Sequence, residues 1–246
     1  MISSMKRLLK AFLKLFLSKE FLQKRRMRLA HMPLQKYGDE ALSLLTNCFN
    51  DLNVRFSVIF GTLLGAYREH GFIKHDDDLD VLCDIKYLSK ELIYSLQRKG
   101  FEINRIYVSS DKIGVQMPMK YKELTCDVYF AYDDNASEQK HIYLPFQIEN
   151  KNWEYSVTHN IFSVCNITIS SPKNFISTKF NDYGIKIPQN TDAILKELYG
   201  ENYMMSIEGK KAYRPCFALK EKFFSCLPID LFFLSDMLEI IQQKSK

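Results

Sequence analysis

The segment Phe60–Val81, FGTLLGAYREHGFIKHDDDLDV, decides how the rest of the chain is read. It opens with a Gly61-Thr62 turn, passes through a short basic stretch, and ends in Asp76, Asp77, Asp78 and Asp80, directly before the apolar pair Val81-Leu82. Carboxylates crowded beside a buried strand repel one another and lose hydration. Hard divalent cations with oxygen ligands relieve both penalties. Side chains alternate along a strand, so Asp78 and Asp80 share one face and can share a metal ion. An EF-hand loop starting at Asp76 is excluded, because it needs Gly and Glu where Val81 and Tyr87 stand.

A pair of carboxylates needs a third to complete such a site. Asp127 lies inside the apolar, β-rich run Leu124–Phe130, where an unpaired buried charge would be costly. Asp84, Asp133 and Asp134 are weaker candidates, since they fall where strands are expected to end. Phosphoryl transfer asks for charge neutralisation and alignment, which carboxylate-held divalent ions supply. The Gly61-Thr62 turn follows a strand and opens a helix, a junction that presents N–H groups and a hydroxyl to an anion. Metal roles therefore fall to Asp78, Asp80 and Asp127.

The chain has 246 residues, 46% hydrophobic and 26% charged, an ordinary globular composition without an apolar run long enough to span a bilayer. The net charge of +5 is uneven. Residues 1–36 hold ten Lys or Arg against the single acid Glu20, leaving the remaining chain at −4. Within that arm, residues 5–17 place Lys6, Lys10 and Lys14 on one helical face and Leu9, Phe12, Leu13 and Phe16 on another. This pattern predicts an interfacial helix on an anionic membrane surface. A helix packed on its own domain is the competing reading. Lysines interrupt every candidate leader core, which argues against a secretory signal. The basic run 24–28 has no interleaved aromatics, so nucleic acid is not expected as a partner. Six scattered cysteines with no C-x-x-C pair predict reduced thiols in a reducing cytosol.

In chain order, helices are expected over 39–53, 62–69, 87–99, 173–183, 192–199 and 229–243. Strands are expected at 56–60, 81–83, 101–108, 113–119, 124–132, 142–148 and 161–169. Thr191 is read as an N-cap and Gly200 as a helix stop. The result is one α+β domain over residues 37–246, preceded by a basic helical arm over residues 1–36.

The acidic segment resembles the LicD family of phosphotransferases, related to the fukutin proteins. The family pattern G-T-L-L-G-x-x-R-x-x-G-x-I-x-W-D-D-D-[IL]-D is carried here by Gly61-Thr62-Leu63-Leu64-Gly65, Arg68, Gly71, Ile73, Asp76-Asp77-Asp78-Leu79-Asp80, with His75 replacing the usual Trp. The resemblance implies a nucleotidyltransferase-like mixed sheet flanked by helices. It also implies transfer of a phospho-substituent, such as phosphocholine, from a CDP-linked donor to a sugar hydroxyl of a cell-surface glycan, with release of CMP. Carried onto this chain, Asp78, Asp80 and Asp127 would hold Mg²⁺ or Mn²⁺, and Asp127 could accept the hydroxyl proton. Gly61, Thr62, Arg68 and Lys74 would contact the donor diphosphate, Arg suiting bidentate phosphate contact. The acceptor would be a glycan or lipid-linked glycan at the inner face of the cell membrane. Two other outcomes are compatible with the same residues: nucleotide monophosphate transfer with pyrophosphate release, or a non-catalytic membrane-associated scaffold.

Overall fold

The computed structural model of the chain describes residues 19–109, 115–134, 137–205 and 217–229, with backbone alone for 19–31 and 217–222. The expected interfacial helix over residues 5–17 and all of the expected last helix beyond Ile229 lie outside the described residues. No described helix is long and apolar enough to cross a membrane.

Strand β2 (Asp78–Asp84) and strand β6 (Leu124–Asp133) form the spine. They pair in parallel, with Asp80 beside Asp127 and Val81 beside Val128. β1 (Phe56–Val58) adds antiparallel to the outer edge of β2. On one face, Leu79, Val81, Cys126, Val128 and Phe130 are fully buried. They share a core with Leu42, Leu45 and Phe49 of the long helix α1 (Lys19–Asp51) and Leu92 and Leu96 of α3 (Lys90–Arg98). α1 begins twenty residues before the expected start at 39 and runs unbroken through residues 36 and 37, despite Pro33 within it. The opposite face of β2 carries Asp78 and Asp80. Between β1 and β2, α2 (Phe60–Arg68) packs back on β2.

The remaining strands are β3 (Phe101–Glu102), β4 (Arg105–Ser109), β5 (Val115–Tyr121), β7 (Gln139–Phe146), β8 (Phe162–Ser170) and, after an interval, β11 (Phe217–Pro228). Helix and strand mix as expected, but the sheet is not the nucleotidyltransferase-like one that the family resemblance implies. β6 is ten residues long and pairs with β5 and β7 as well as β2. The order β6-β7-β8-β11-β4-β5 then returns to β6, closing a six-strand ring. The closure rests on β11, which enters between β8 and β4. Closing the ring satisfies strand edges that an open sheet would leave unpaired.

Residues 173–183, expected as a helix, form the hairpin β9 (Phe175–Phe180) and β10 (Tyr183–Pro188). Asn181-Asp182 makes its two-residue loop, and Asn181 takes a left-handed φ of 49°, a conformation Asn tolerates. Phe180 is fully buried, edge-on to Phe72 at 4.8 Å. α4 (Trp153–His159) lies between β7 and β8 and was not anticipated. α5 (Thr191–Tyr199) follows the expected bounds and stops at Gly200 with φ 88°. Its N-cap is Asn190, not Thr191, whose hydroxyl donates to the carbonyl of Pro188.

The expectation of reduced thiols is met at Cys48, Cys83, Cys126 and Cys226, which are free. Cys165 corrects it, being disulfide-bonded. Spacing alone could not reveal this, because a disulfide depends on how closely two cysteines approach in the fold rather than on sequence separation.

Candidate functional site

Parallel register places the three carboxylates. Asp78 and Asp80 rise from one face of β2, and Asp127 rises beside Asp80 from β6. One oxygen from each of Asp78, Asp80 and Asp127 lies within 4.8 Å of the others. Asp80 and Asp127 are buried and Asp78 is half-buried. The set is all oxygen and all anionic, the donor chemistry that hard divalent ions take. The residues therefore fit a Mg²⁺ or Mn²⁺ ion. Burial, joined by the nearby charge of Asp78, raises the Asp127 carboxyl to about 7, although a hydrogen bond from Gln116 pulls the other way. Neighbouring Cys126 is pushed well up by burial and by the adjacent aspartates, so it stays a protonated, inert thiol.

The junction between β1 and α2 holds Asp80 by its backbone. The Ile59 N–H donates to the Asp80 carbonyl at 3.1 Å, and the Asp80 N–H donates to Thr62 Oγ1 at 3.0 Å. Thr62 is thus placed at the site, but its oxygen steadies β2 at Asp80. Phe60, the first helical residue, takes a left-handed φ of 47° and sets its ring edge-on against Tyr129 at 4.9 Å. For an aromatic residue that conformation costs about 1–2 kcal/mol. Gly61 follows, and a β-carbon there would collide with the carboxylate of Asp76. Asp76 therefore sits against the first turn of α2, where negative charge is favoured. Asp76 and Asp77 also approach Asp78 within 4.8 Å, as a second, more open acidic group.

The two predicted cationic residues part company. The Arg68 guanidinium donates to the Tyr203 carbonyl at 3.1 Å and pairs with Glu69 at 2.7 Å. It ties the end of α2 to the turn after α5. Lys74 is exposed and makes no ion pair among the described residues. His70 and His75 are exposed as well. Asp84 and Asp133 both pair with Lys140, at 2.6 and 2.7 Å, at the far end of β2 from Asp78.

Two contributors were not found in the sequence. Gln116, on β5, donates to Asp127 Oδ1 at 2.8 Å with both residues buried. The signal that picked out Asp127, a polar residue in an apolar strand, also marks Gln116. Asn181 secures the loop ahead of the aspartates. Its N–H donates to the His70 carbonyl at 2.6 Å and its amide to Asp39 at 2.7 Å. Nothing local to Asn181 announces that contact.

The carboxylate cluster thus lies on a parallel strand pair and is faced by a strand–Gly–helix junction. The family described as LicD/FKTN/FKRP, nucleotidyltransferase domain, matches residues 53–190. That is more than half of the 246 residues, and the chain belongs to this family. Among curated relatives, Ribitol-5-phosphate transferase FKTN of Mus musculus is 22% identical over 180 residues, 72% of this chain and 35% of that protein. The protein of the same name in Macaca fascicularis is 21% identical over the same shares. An uncharacterized protein of Rickettsia typhi is 29% identical over 90 residues, 35% of this chain and 29% of its own length. The chain spans about a third of the length of the curated relatives it matches.

Proposed function

We propose that the protein is a metal-dependent phosphotransferase, moving a phospho-substituent from a CDP-linked donor to a sugar hydroxyl of a glycan and releasing CMP. The observation that carries this reading is the meeting of Asp78, Asp80 and Asp127, one oxygen each within 4.8 Å, on a strand pair that buries two of them. Phosphocholine and ribitol phosphate are the substituents to test first, the latter because two relatives are named ribitol-5-phosphate transferases.

Asp78, Asp80 and Asp127 would hold Mg²⁺ or Mn²⁺, which would supply charge neutralisation for the donor diphosphate. Gly61 and Thr62 open α2 beside Asp80, and donor phosphate would displace the Asp76 carboxylate to reach their N–H groups. Lys74 adds a cation within reach of solvent. Arg68 supports the same end of the site by fixing α2. The sugar oxygen forms the new bond to phosphorus, the bond to the CMP phosphate breaks, and the hydroxyl proton passes to Asp127. Residues 5–17 bring the enzyme to an anionic membrane surface, where a lipid-linked glycan would present its hydroxyl.

The test is incubation with CDP-choline, CDP-ethanolamine, CDP-glycerol or CDP-ribitol, Mg²⁺ and candidate glycans, with identification of the leaving group. CMP release that Asp78→Ala and Asp80→Ala abolish supports the reading. Pyrophosphate release from a nucleoside triphosphate would instead establish the second reading, nucleotidyl transfer. Unchanged turnover in both variants would remove these carboxylates from the chemistry.

A further inference from the structure

Gln116 stands opposite Tyr129 in the β5–β6 ladder, and Pro118 stands opposite Asp127. Gln116 and Asp127 therefore rise from the same face, one step apart along the strands. The Gln116 Nε2 donates to Asp127 Oδ1 at 2.8 Å. Both side chains are buried, at 9% and 7% exposure, so water does not compete for this bond. A carboxylate turns about its last carbon–carbon bond. Tying one oxygen fixes the direction of the other, and Asp127 must present an oxygen toward Asp78 and Asp80.

The charge of the tether matters as much as its geometry. A buried Lys or Arg in this place would pair with Asp127 and take up the negative charge that a cation needs. The Gln116 amide is neutral, so it orients the carboxylate and leaves its charge available. Outer hydrogen bonds of this kind align metal ligands, and losing one weakens metal affinity by about 10–100-fold.

We propose that Gln116 is a positioning residue for the divalent cation, acting through Asp127 and touching neither metal nor substrate. This inference rests on the metal site proposed above. It extends that site to β5, and so links it to the strands of the closed ring.

The test uses Mn²⁺ alone, with affinity read from the electron paramagnetic resonance signal of the free ion. Gln116→Met keeps the side-chain length and removes the donor. Gln116→Asn keeps an amide too short to reach, and serves if the first variant does not fold. Near-ultraviolet circular dichroism reports folding. The expected result is Mn²⁺ affinity weakened about tenfold or more in a folded variant. Placed on Asp127→Asn, Gln116→Met is expected to weaken binding no further, because it acts through the carboxylate already removed. Unchanged affinity in a folded Gln116 variant, or effects that add in the double variant, overturns the positioning role alone. A wild-type protein that binds no Mn²⁺ overturns the metal site and this inference together.

Discussion

Replacing Asp127 with Asn should change the pH dependence of stability in a way that only a buried, unneutralised carboxylate produces. The folded protein raises this carboxyl from 3.8 to about 7 without metal, chiefly through burial. The protonated form is therefore favoured in the fold and the charged form is favoured in the unfolded chain. As pH rises above 3.8, the unfolded chain releases this proton while the folded protein retains it, so stability falls. The fall continues until pH passes about 7 and then levels. A tenfold difference in proton affinity between the folded and unfolded chains is worth about 1.4 kcal/mol, so the whole effect is about 4 kcal/mol, of which about 3 kcal/mol falls between pH 5 and pH 8. Asn has no charge to bury at any pH. The assay is urea unfolding at several pH values in the presence of chelator, for wild type and Asp127→Asn. The variant's stability relative to wild type should rise by about 3 kcal/mol from pH 5 to pH 8. Saturating Mn²⁺ should reverse the wild-type loss at pH 8 by binding the native state, by about 2.7 kcal/mol at a hundredfold excess over its Kd. A difference between the two proteins that is flat with pH, or that declines, would refute the buried-carboxylate reasoning.

Three further outcomes follow from the site's surroundings. Gly61→Ala should move the Asp76 carboxylate off the first turn of α2, because the new β-carbon meets it. In chemical unfolding the variant should gain less than the up to about 1 kcal/mol that the same change gives elsewhere in a helix, and a full gain would refute the contact. Arg68→Ala should lower the unfolding midpoint by removing the bond to the Tyr203 carbonyl, while Lys74→Ala should leave the midpoint unchanged and weaken donor binding several-fold, both read by thermal shift with and without a CDP-linked donor.

The parts of the site that lie close in sequence, or that carry a charge in an apolar run, could be read directly. Asp78 and Asp80 share a face because strands alternate. Asp127 stood out because Cys126 and Val128 on either side demand burial. What escaped depends on contacts distant in the chain. Residues 173–183 read as helical, yet Asn181 turns the chain and Phe180 finds its partner in Phe72. The outcome is set by packing against the loop before β2, which no local pattern reveals. Ring closure is likewise invisible, since β11 completes ladders to β4 and β8 that begin far earlier in the chain. The strand partner of Thr62 is likewise beyond any local pattern. Its hydroxyl oxygen is engaged by the Asp80 N–H, a partner 18 residues on. Gln116 was overlooked because a single neutral amide in a strand is common, and only the Asp127 register gives it a task.

The central claim is that Asp78, Asp80 and Asp127 together form a cation site. Anomalous diffraction at the manganese edge, from crystals of the wild-type protein equilibrated with Mn²⁺, tests it most directly. The expected result is a peak within coordination distance of oxygens from all three aspartates, lost in Asp80→Asn. No peak there, or the strongest peak at Asp84 and Asp133, would contradict it.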